Sequence, residues 1–227
     1  MMKRHFEEDL RTMKTELLKM AAGVEEAIYK SIEALKNSDK KIAQSVVDDD
    51  RRIDELELVI EEIGINLLAL YTPVAGDLRF ITTGMKINAE LERIADLAVN
   101  IAQRVFELAD KPLLKPLIDI PKLTKVARKM LKDAIDAFVN QDQNLAKQVI
   151  LSDPEADKLR NLVYEELIND YMVKDGTTAP RAVPLLLIAR YLERICDHAT
   201  NIAEDVIYMV QAKVVKHHLE KLEDNSG

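Results

Sequence analysis

Apolar positions recur at intervals of three and four along most of the chain. Ile53, Leu56, Ile60, Ile63, Leu67 and Leu70 are spaced 3, 4, 3, 4 and 3. Ile87, Leu91, Ile94, Ala98, Ile101 and Val105 are spaced 4, 3, 4, 3 and 4, and Ile188, Leu192, Ile195, Ala199, Ile202 and Val206 repeat that series. Such stripes turn one face of a helix toward its neighbours and predict long antiparallel helices packed at shallow angles. Polar and proline punctuation divides them. Asn37-Ser38-Asp39 ends a first helix and caps a short one. Thr72-Pro73 to Gly76 separates the second long helix from the third, and Pro112, Pro116 and Pro121 mark a linker. Asp153-Pro154 reads as an N-cap followed by proline at the first helical position. Gly176 to Pro184 separates the last two helices, with Pro184 admissible in a first turn. The expectation is an all-α chain with three long helices per half, plus a short one after the first.

The chain also repeats itself. Ala34-Leu35-Lys36-Asn37-Ser38-Asp39 resembles Ala137-Phe138-Val139-Asn140-Gln141-Asp142 at an offset of 103, and Asp50 and Asp54 fall on Asp153 and Asp157 at the same offset. Leu91-Glu92-Arg93-Ile94-Ala95-Asp96 matches Leu192-Glu193-Arg194-Ile195-Cys196-Asp197 at an offset of 101, followed by Asn100-Ile101-Ala102 and Asn201-Ile202-Ala203. A unit of this length is too long for a solenoid repeat and suits a small helical bundle. The predicted division is a first bundle over 1–111, a linker over 112–121, a second bundle over 122–215 and a polar, frayed tail over 216–227.

Composition narrows the function. With 6 Gly and no Trp in 227 residues, the chain has few helix breakers. Its net charge of −8 argues against nucleic-acid binding and against a polybasic membrane anchor. Cys196 is the only cysteine, which excludes an intrachain disulfide and fits a reducing compartment. Met1 to Asp9 lacks the apolar stretch of a secretory signal, and the longest apolar run, Ala182 to Ala189, is far shorter than the ~20 residues of a spanning helix. A cytoplasmic protein is expected, touching a membrane only through partners.

The chemical signal lies in carboxylates at helical spacing. Asp50 and Asp54, and Asp153 and Asp157, form Asp-x-x-x-Asp pairs. Glu92, Asp96 and Asn100, and Glu193, Asp197 and Asn201, form Glu-x-x-x-Asp-x-x-x-Asn. Residues four apart stack on one helix face, so each motif is an oxygen-lined column of the kind hard cations prefer. Helical phase turns the columns away from the apolar stripes, toward the surface. A solvated acidic face is the competing reading, and Arg93 and Arg194 stand close enough in sequence to neutralise the acids. Against it, like charges at i, i+4 cost about 0.2–0.5 kcal/mol per pair. The ferritin-type Glu-x-x-His pair is absent.

Other residues read as structural. Cys196 suits a small core position, His198 a core or solvated one, and His217-His218 is too short for a metal tract. Asp77-Leu78-Arg79 can cap the third helix or form a local ion pair. Gly64, Gly76 and Gly84 match no phosphate-binding loop.

The paired Leu-Glu-Arg-Ile-x-Asp segments at 91–96 and 192–197, together with Pro73 through Asp77-Leu78-Arg79 and the Asp50/Asp54 and Asp153/Asp157 pairs, resemble the PhoU family over roughly Phe6 to Val215. Where the family has Gly before the motif Asp, this chain has Ala95 and Cys196. The resemblance implies two similar three-helix bundles with multinuclear metal clusters on their outer faces. The ligands it implies are Asp50, Asp54, Glu92, Asp96 and Asn100 in one half, and Asp153, Asp157, Glu193, Asp197 and Asn201 in the other. Iron is the implied occupant, with manganese, zinc or magnesium as alternatives. It also implies a non-enzymatic negative regulator of phosphate uptake, bridging the ATPase of the phosphate ABC transporter and a sensor histidine kinase. A homodimer is expected separately, because an outward helical face is a ready interface, although no stripe demands it. A metal-storage or metal-responsive protein, with the acidic columns as its main function, is the main alternative reading. A metal-assisted phosphohydrolase is a third, for which no general acid or base stands out beside the columns.

Overall fold

A computed structural model of the chain describes residues 2–212, and all regular structure among them is helical. The polar tail and His217-His218 lie outside the described residues. Six long helices follow in order: α1 (Met2–Asn37), α2 (Lys40–Tyr71), α3 (Ala75–Leu108), α4 (Asp119–Asn140), α5 (Gln143–Glu165) and α6 (Ala179–Gln211). A π-helical segment, Glu166–Met172, prolongs α5, and a 3-10 turn, Gly176–Thr178, precedes α6.

The halves begin with the same junction. Ser38 and Gln141 both adopt left-handed backbone, with φ of 51° and 54°. Asp39 N–H donates to the Ala34 carbonyl at 2.9 Å, and Asp142 N–H donates to that of Ala137 at 2.9 Å. Each Asp then caps the next helix: Asp39 Oδ1 accepts from Lys41 and Ile42 N–H, Asp142 Oδ1 from Asn144 and Leu145 N–H. These are paired C-cap and N-cap solutions to the orphan groups of two helix ends.

The expected short helix after the first does not exist as a separate element. Both caps start long helices directly, so Asp153-Pro154 is no N-terminus and lies inside α5. Proline there removes one backbone donor, and its ring stands on the exposed side of the helix. Pro121, expected in the linker, sits in the first turn of α4, which begins at Asp119. Pro184 lies in the second turn of α6 rather than the first. Its missing N–H would have served the Pro180 carbonyl, and Lys111 Nζ donates to that oxygen instead, at 3.3 Å.

The stripes on α3 and α6 form the core: Ile87, Leu91, Ile94, Ala98, Ile101 and Val105, and their second-half counterparts, are all buried. On α2 the stripe is only partly covered, because that helix flanks the molecule. Leu56 and Ile63 are half-buried, and Leu70 in the last turn is exposed. Helices α1, α2 and α3 pack as one bundle and α4, α5 and α6 as another. The bundles join along α3 against α6 and α1 against α4, leaving α2 and α5 on the outside. At the seam, Phe80 stacks on Phe138 with centroids 4.8 Å apart, and Lys86 Nζ meets the buried Asp205 carboxylate at 2.9 Å.

One difference between the bundles has a steric counterpart. Gly64 of α2 is buried against α3, where a Cβ would come within 2.7 Å of Met85 Cγ. The equivalent position in the second half carries Leu167, fully buried, and it is there that the helix widens into its π-helical segment.

Candidate functional site

The acidic columns lie on the outer seams between α2 and α3 and between α5 and α6, where the carboxylates of neighbouring helices act on one another. In the first half, Asp50 and Asp54 on α2 face Glu92 and Asp96 on α3. Asp54 and Asp96 are exposed, while Asp50, Glu92 and Asn100 are half-buried. Burial, and then the charges of Asp54 and Asp96, push the Asp50 carboxyl up to about 6. Burial, followed by Asp96, Glu57 and Asp54, raises Glu92.

Sequence reading missed Glu57. It lies three residues beyond Asp54, so it shares that face of α2. Its carboxyl is raised by burial and by Glu61, Asp54 and Asp96. The buried Asn88 on α3 fixes it in height, donating from Nδ2 to the Glu57 carbonyl at 2.9 Å. Extending the Asp-x-x-x-Asp pair by one further turn contact would have found it.

The second half repeats the arrangement with a change. Burial, then Glu193, Asp153 and Asp157, push Asp197 up to about 6. Burial and Asp157 raise Asp153, whose Oδ1 accepts from Thr200 Oγ1 at 3.4 Å. Here a cation stands among the acids. Arg160 Nη2 lies 3.0 Å from Asp157 Oδ1 and 3.4 Å from Glu193 Oε1, tying α5 to α6.

Asn201 is drawn elsewhere. Its Nδ2 donates at 3.1 Å to Glu90 Oε2, across the junction of the halves, and the same oxygen lies 2.7 Å from His198 Nδ1. Burial raises the Glu90 carboxyl, but the bonds from His198 and Asn201 outweigh it and hold the group below its ordinary value. Arg93 pairs with Glu90 Oε1 at 3.0 Å, and its charge also opposes the rise of the Glu92 carboxyl. Cys196 is buried, as expected of a small core residue.

The columns group carboxylates as mutually repelling neighbours. Among the described residues, no three His, Cys, Asp or Glu side chains converge closely enough to hold an ion as they stand. In chemistry the donor set, clustered carboxylate oxygens, is of the kind hard cations prefer, and one carboxyl in each half, Asp50 and Asp197, is pushed up to about 6. No described helix is long and apolar enough to cross a membrane.

The family model of the PhoU domain matches residues 17–105 and again 120–206. The chain belongs to the PhoU family. It is 41% identical over 209 residues to a phosphate-specific transport system accessory protein PhoU homolog of Aquifex aeolicus, covering 92% of this chain and 94% of that one. A Thermotoga maritima PhoU homolog 1 is 35% identical, with 98% and 96% covered. The crystal structure of PhoU from Pseudomonas aeruginosa superposes with a TM-score of 0.88 at 33% identity, over 92% of this chain and all of that one. The two matched PhoU domains correspond to the duplicated halves, α1–α3 and α4–α6, so the internal repeat is a feature of the family's architecture.

Proposed function

We propose that this PhoU-family chain is a non-enzymatic negative regulator of phosphate uptake and of phosphate-starvation signalling, an adaptor between the ATPase of the phosphate ABC transporter and a sensor histidine kinase. The observation that carries the reading is likeness along nearly the full length to proteins named as accessory to the phosphate-specific transport system. The shape suits an adaptor, since α2 and α5 flank the double bundle and offer two long outer faces to partners. Binding of this kind works by biasing a partner that has two states, and the bias equals the difference in affinity for them. When phosphate is plentiful, the adaptor holds the kinase in its repressing state and restrains the transporter.

The acidic columns are read as cation sites on those outer faces. Asp50, Asp54, Glu57, Glu92 and Asp96, with Asn100 one turn on, would hold ions in the first half. Asp153, Asp157, Glu193 and Asp197 would do so in the second, while Asn201 is committed to Glu90. A bound multivalent ion, iron or another of the oxygen-seeking metals, would neutralise the clustered charge and crosslink neighbouring helices. The side chains themselves set the height, spacing and protonation of the sites. A metal-storage or metal-responsive protein is the second reading, in which the acidic columns are themselves the function.

Capture tests the adaptor. The purified chain, immobilised, is offered the ATPase subunit of the phosphate transporter and the cytoplasmic part of the kinase from the same cell. Retention of both, competed by free chain, is the expected result. Retention of neither, with several equivalents of metal bound, would transfer the assignment to storage.

A further inference from the structure

We infer that the solvent face of α4 is a docking surface for an acidic segment of a partner protein. The inference deepens the adaptor reading, on which it rests for a partner in the cell, by naming the face and the chemistry it fits. Lys122, Lys125, Arg128, Lys129 and Lys132 lie at spacings of 3, 3, 1 and 3. On a helix they share one arc of roughly 120°, turned away from the buried Leu123, Ala127, Met130 and Ala134. The four lysines are exposed and Arg128 is half-buried.

This charge is out of keeping with the rest of the chain. Helix α4 carries five cations and three carboxylates, a net +2, in a chain of net charge −8. The other long helices are neutral or net acidic, and α2, with four cations and eight carboxylates, reaches −4. Packing does not require the basic face. Helix α1 holds the equivalent place in its own bundle and ends in the same junction. At the repeat offset of 103, Lys125, Arg128, Lys129 and Lys132 correspond to Ala22, Glu25, Glu26 and Tyr29, and Lys122 alone meets a cation, Lys19. The stripe is also incompletely matched by its own chain. Lys125 has no ion pair among the described residues. Arg128 lies 5.1 Å from the centre of the Tyr29 ring, and its Nε is buried without an acceptor. Lys122, Lys129 and Lys132 pair with Asp119, Asp133 and Asp136 of the same helix. Exposed pairs within one helix contribute little, so a partner's carboxylates can replace them.

The surroundings of the stripe select its occupant. A second copy docked about a two-fold axis through α4 would set α4 against itself and bring like charges together. An anionic bilayer is broad and would also cover the neighbouring α1, where Glu25 and the exposed Glu26 stand. The charges of Arg128 and Lys132 act on Glu25, which puts that carboxylate at the edge of the stripe. A single acidic segment can follow α4 alone and leave α1 uncovered. With a Debye length of about 8 Å at physiological salt, it feels the nearby cations more than the net charge of the chain. Complementary charge of this kind steers encounter and fixes register.

The test uses the intact chain and a fluorescein-labelled poly-L-glutamate of about 10 residues. Extended, it spans about 33 Å, the length of a 22-residue helix such as α4. Fluorescence anisotropy is expected to show binding at about 50 mM salt and a loss on the order of tenfold at about 300 mM. The triple variant Lys125→Glu, Arg128→Glu, Lys129→Glu is expected to weaken binding on the order of tenfold or more. The milder Lys125→Gln, Lys129→Gln pair, which spares the Tyr29 contact, is expected to weaken it less, and circular dichroism confirms the fold of each. A control triple, Lys41→Glu, Arg51→Glu, Arg52→Glu, changes the net charge equally and is expected to bind as the wild type does. No binding by the wild type, or an equal loss in the control and α4 triples, would overturn the docking surface. Binding to phosphatidylglycerol vesicles but not to the peptide, lost in the α4 triple, would overturn it in favour of a lipid surface. The peptide needs neither transporter nor kinase, so this failure is distinguishable from failure of the adaptor reading in the capture assay. Capture of both partners by the α4 triple at the wild-type level would overturn docking on α4 and leave the adaptor standing.

Discussion

Glu90 on α3 reaches across the junction of the two halves to His198 on α6, its Oε2 2.7 Å from the ring Nδ1. Both side chains are largely shielded, at 13% and 12% exposure, and Asn201 adds a second bond to the same oxygen. With the Lys86–Asp205 pair, the contact gives polar bonds to a seam between the repeats that is otherwise mainly apolar. His198 corresponds to Leu97 in the first half, so the link runs one way only.

Replacing His198 by Ala leaves the shielded Glu90 carboxylate with a lost partner. The expected cost is about 1.5–3 kcal/mol, the usual range for a hydrogen bond to a charged group. Chemical denaturation measures it, and Asn201→Ala is expected to cost less. Because the folded Glu90 carboxyl sits below its ordinary value of 4.5, its contribution is present above that pH and is lost as pH falls through the lower folded value. An unfolding free energy unchanged by His198→Ala at pH 7 would show that the contact does not tie the halves.

Asp39 and Asp142 make the same two capping bonds in their respective halves. Each Asp→Ala substitution is expected to cost about 1 kcal/mol, lowering Tm by about 2–4 °C for a chain of this size. The double variant is expected to show the sum, since the two caps share no partner.

Asp50 and Asp197 have folded carboxyls near 6 against an ordinary 3.8. Between those values the folded chain binds protons that the unfolded chain has released. The penalty of holding these groups ionised is therefore full above pH 6 and is relieved as pH falls toward 4. In chelator, Tm is expected to rise between pH 7.5 and pH 5. The Asp50→Asn, Asp197→Asn double variant is expected to melt higher than wild type at pH 7.5, with a flatter profile. A wild-type Tm that falls steadily over the same interval would contradict this.

Cys196 is buried, and burial together with Asp153 and Asp197 pushes its thiol well above the usual range. Thiolate is the reactive form, so the native chain is expected to resist a thiol reagent such as DTNB and to react at once in denaturant. Rapid modification of the folded chain at neutral pH would show that the helix opens locally.

The periodicity of α3 and α6 was legible because both helices are central, and every residue of each stripe has a neighbour to meet. On α2, a flanking helix, the same pattern ran past its packing partner and ended at the exposed Leu70. Asp153-Pro154 misled because Asp before Pro is a local signal, while the real start of α5 was fixed eleven residues earlier by the Asp142 cap. The acid columns could be placed on a face by helical phase alone. The docking of one half on the other could not, so Glu90 and the diversion of Asn201 to it had no signature. The exchange of Glu57 for Arg160 was in reach of the offset of 103, but a repeat is recognised by the positions that match and not by those that differ.

The most direct test of the proposed role is a phosphate-starvation reporter in cells lacking their PhoU-family protein. In phosphate-rich medium such cells are expected to express the reporter constitutively. Expression of this chain, at a level confirmed by immunoblot and alongside its cognate transporter and kinase, is expected to restore repression and to restrain phosphate uptake. A reporter that stays fully on, and uptake that stays unrestrained with the folded chain present, would contradict the adaptor account.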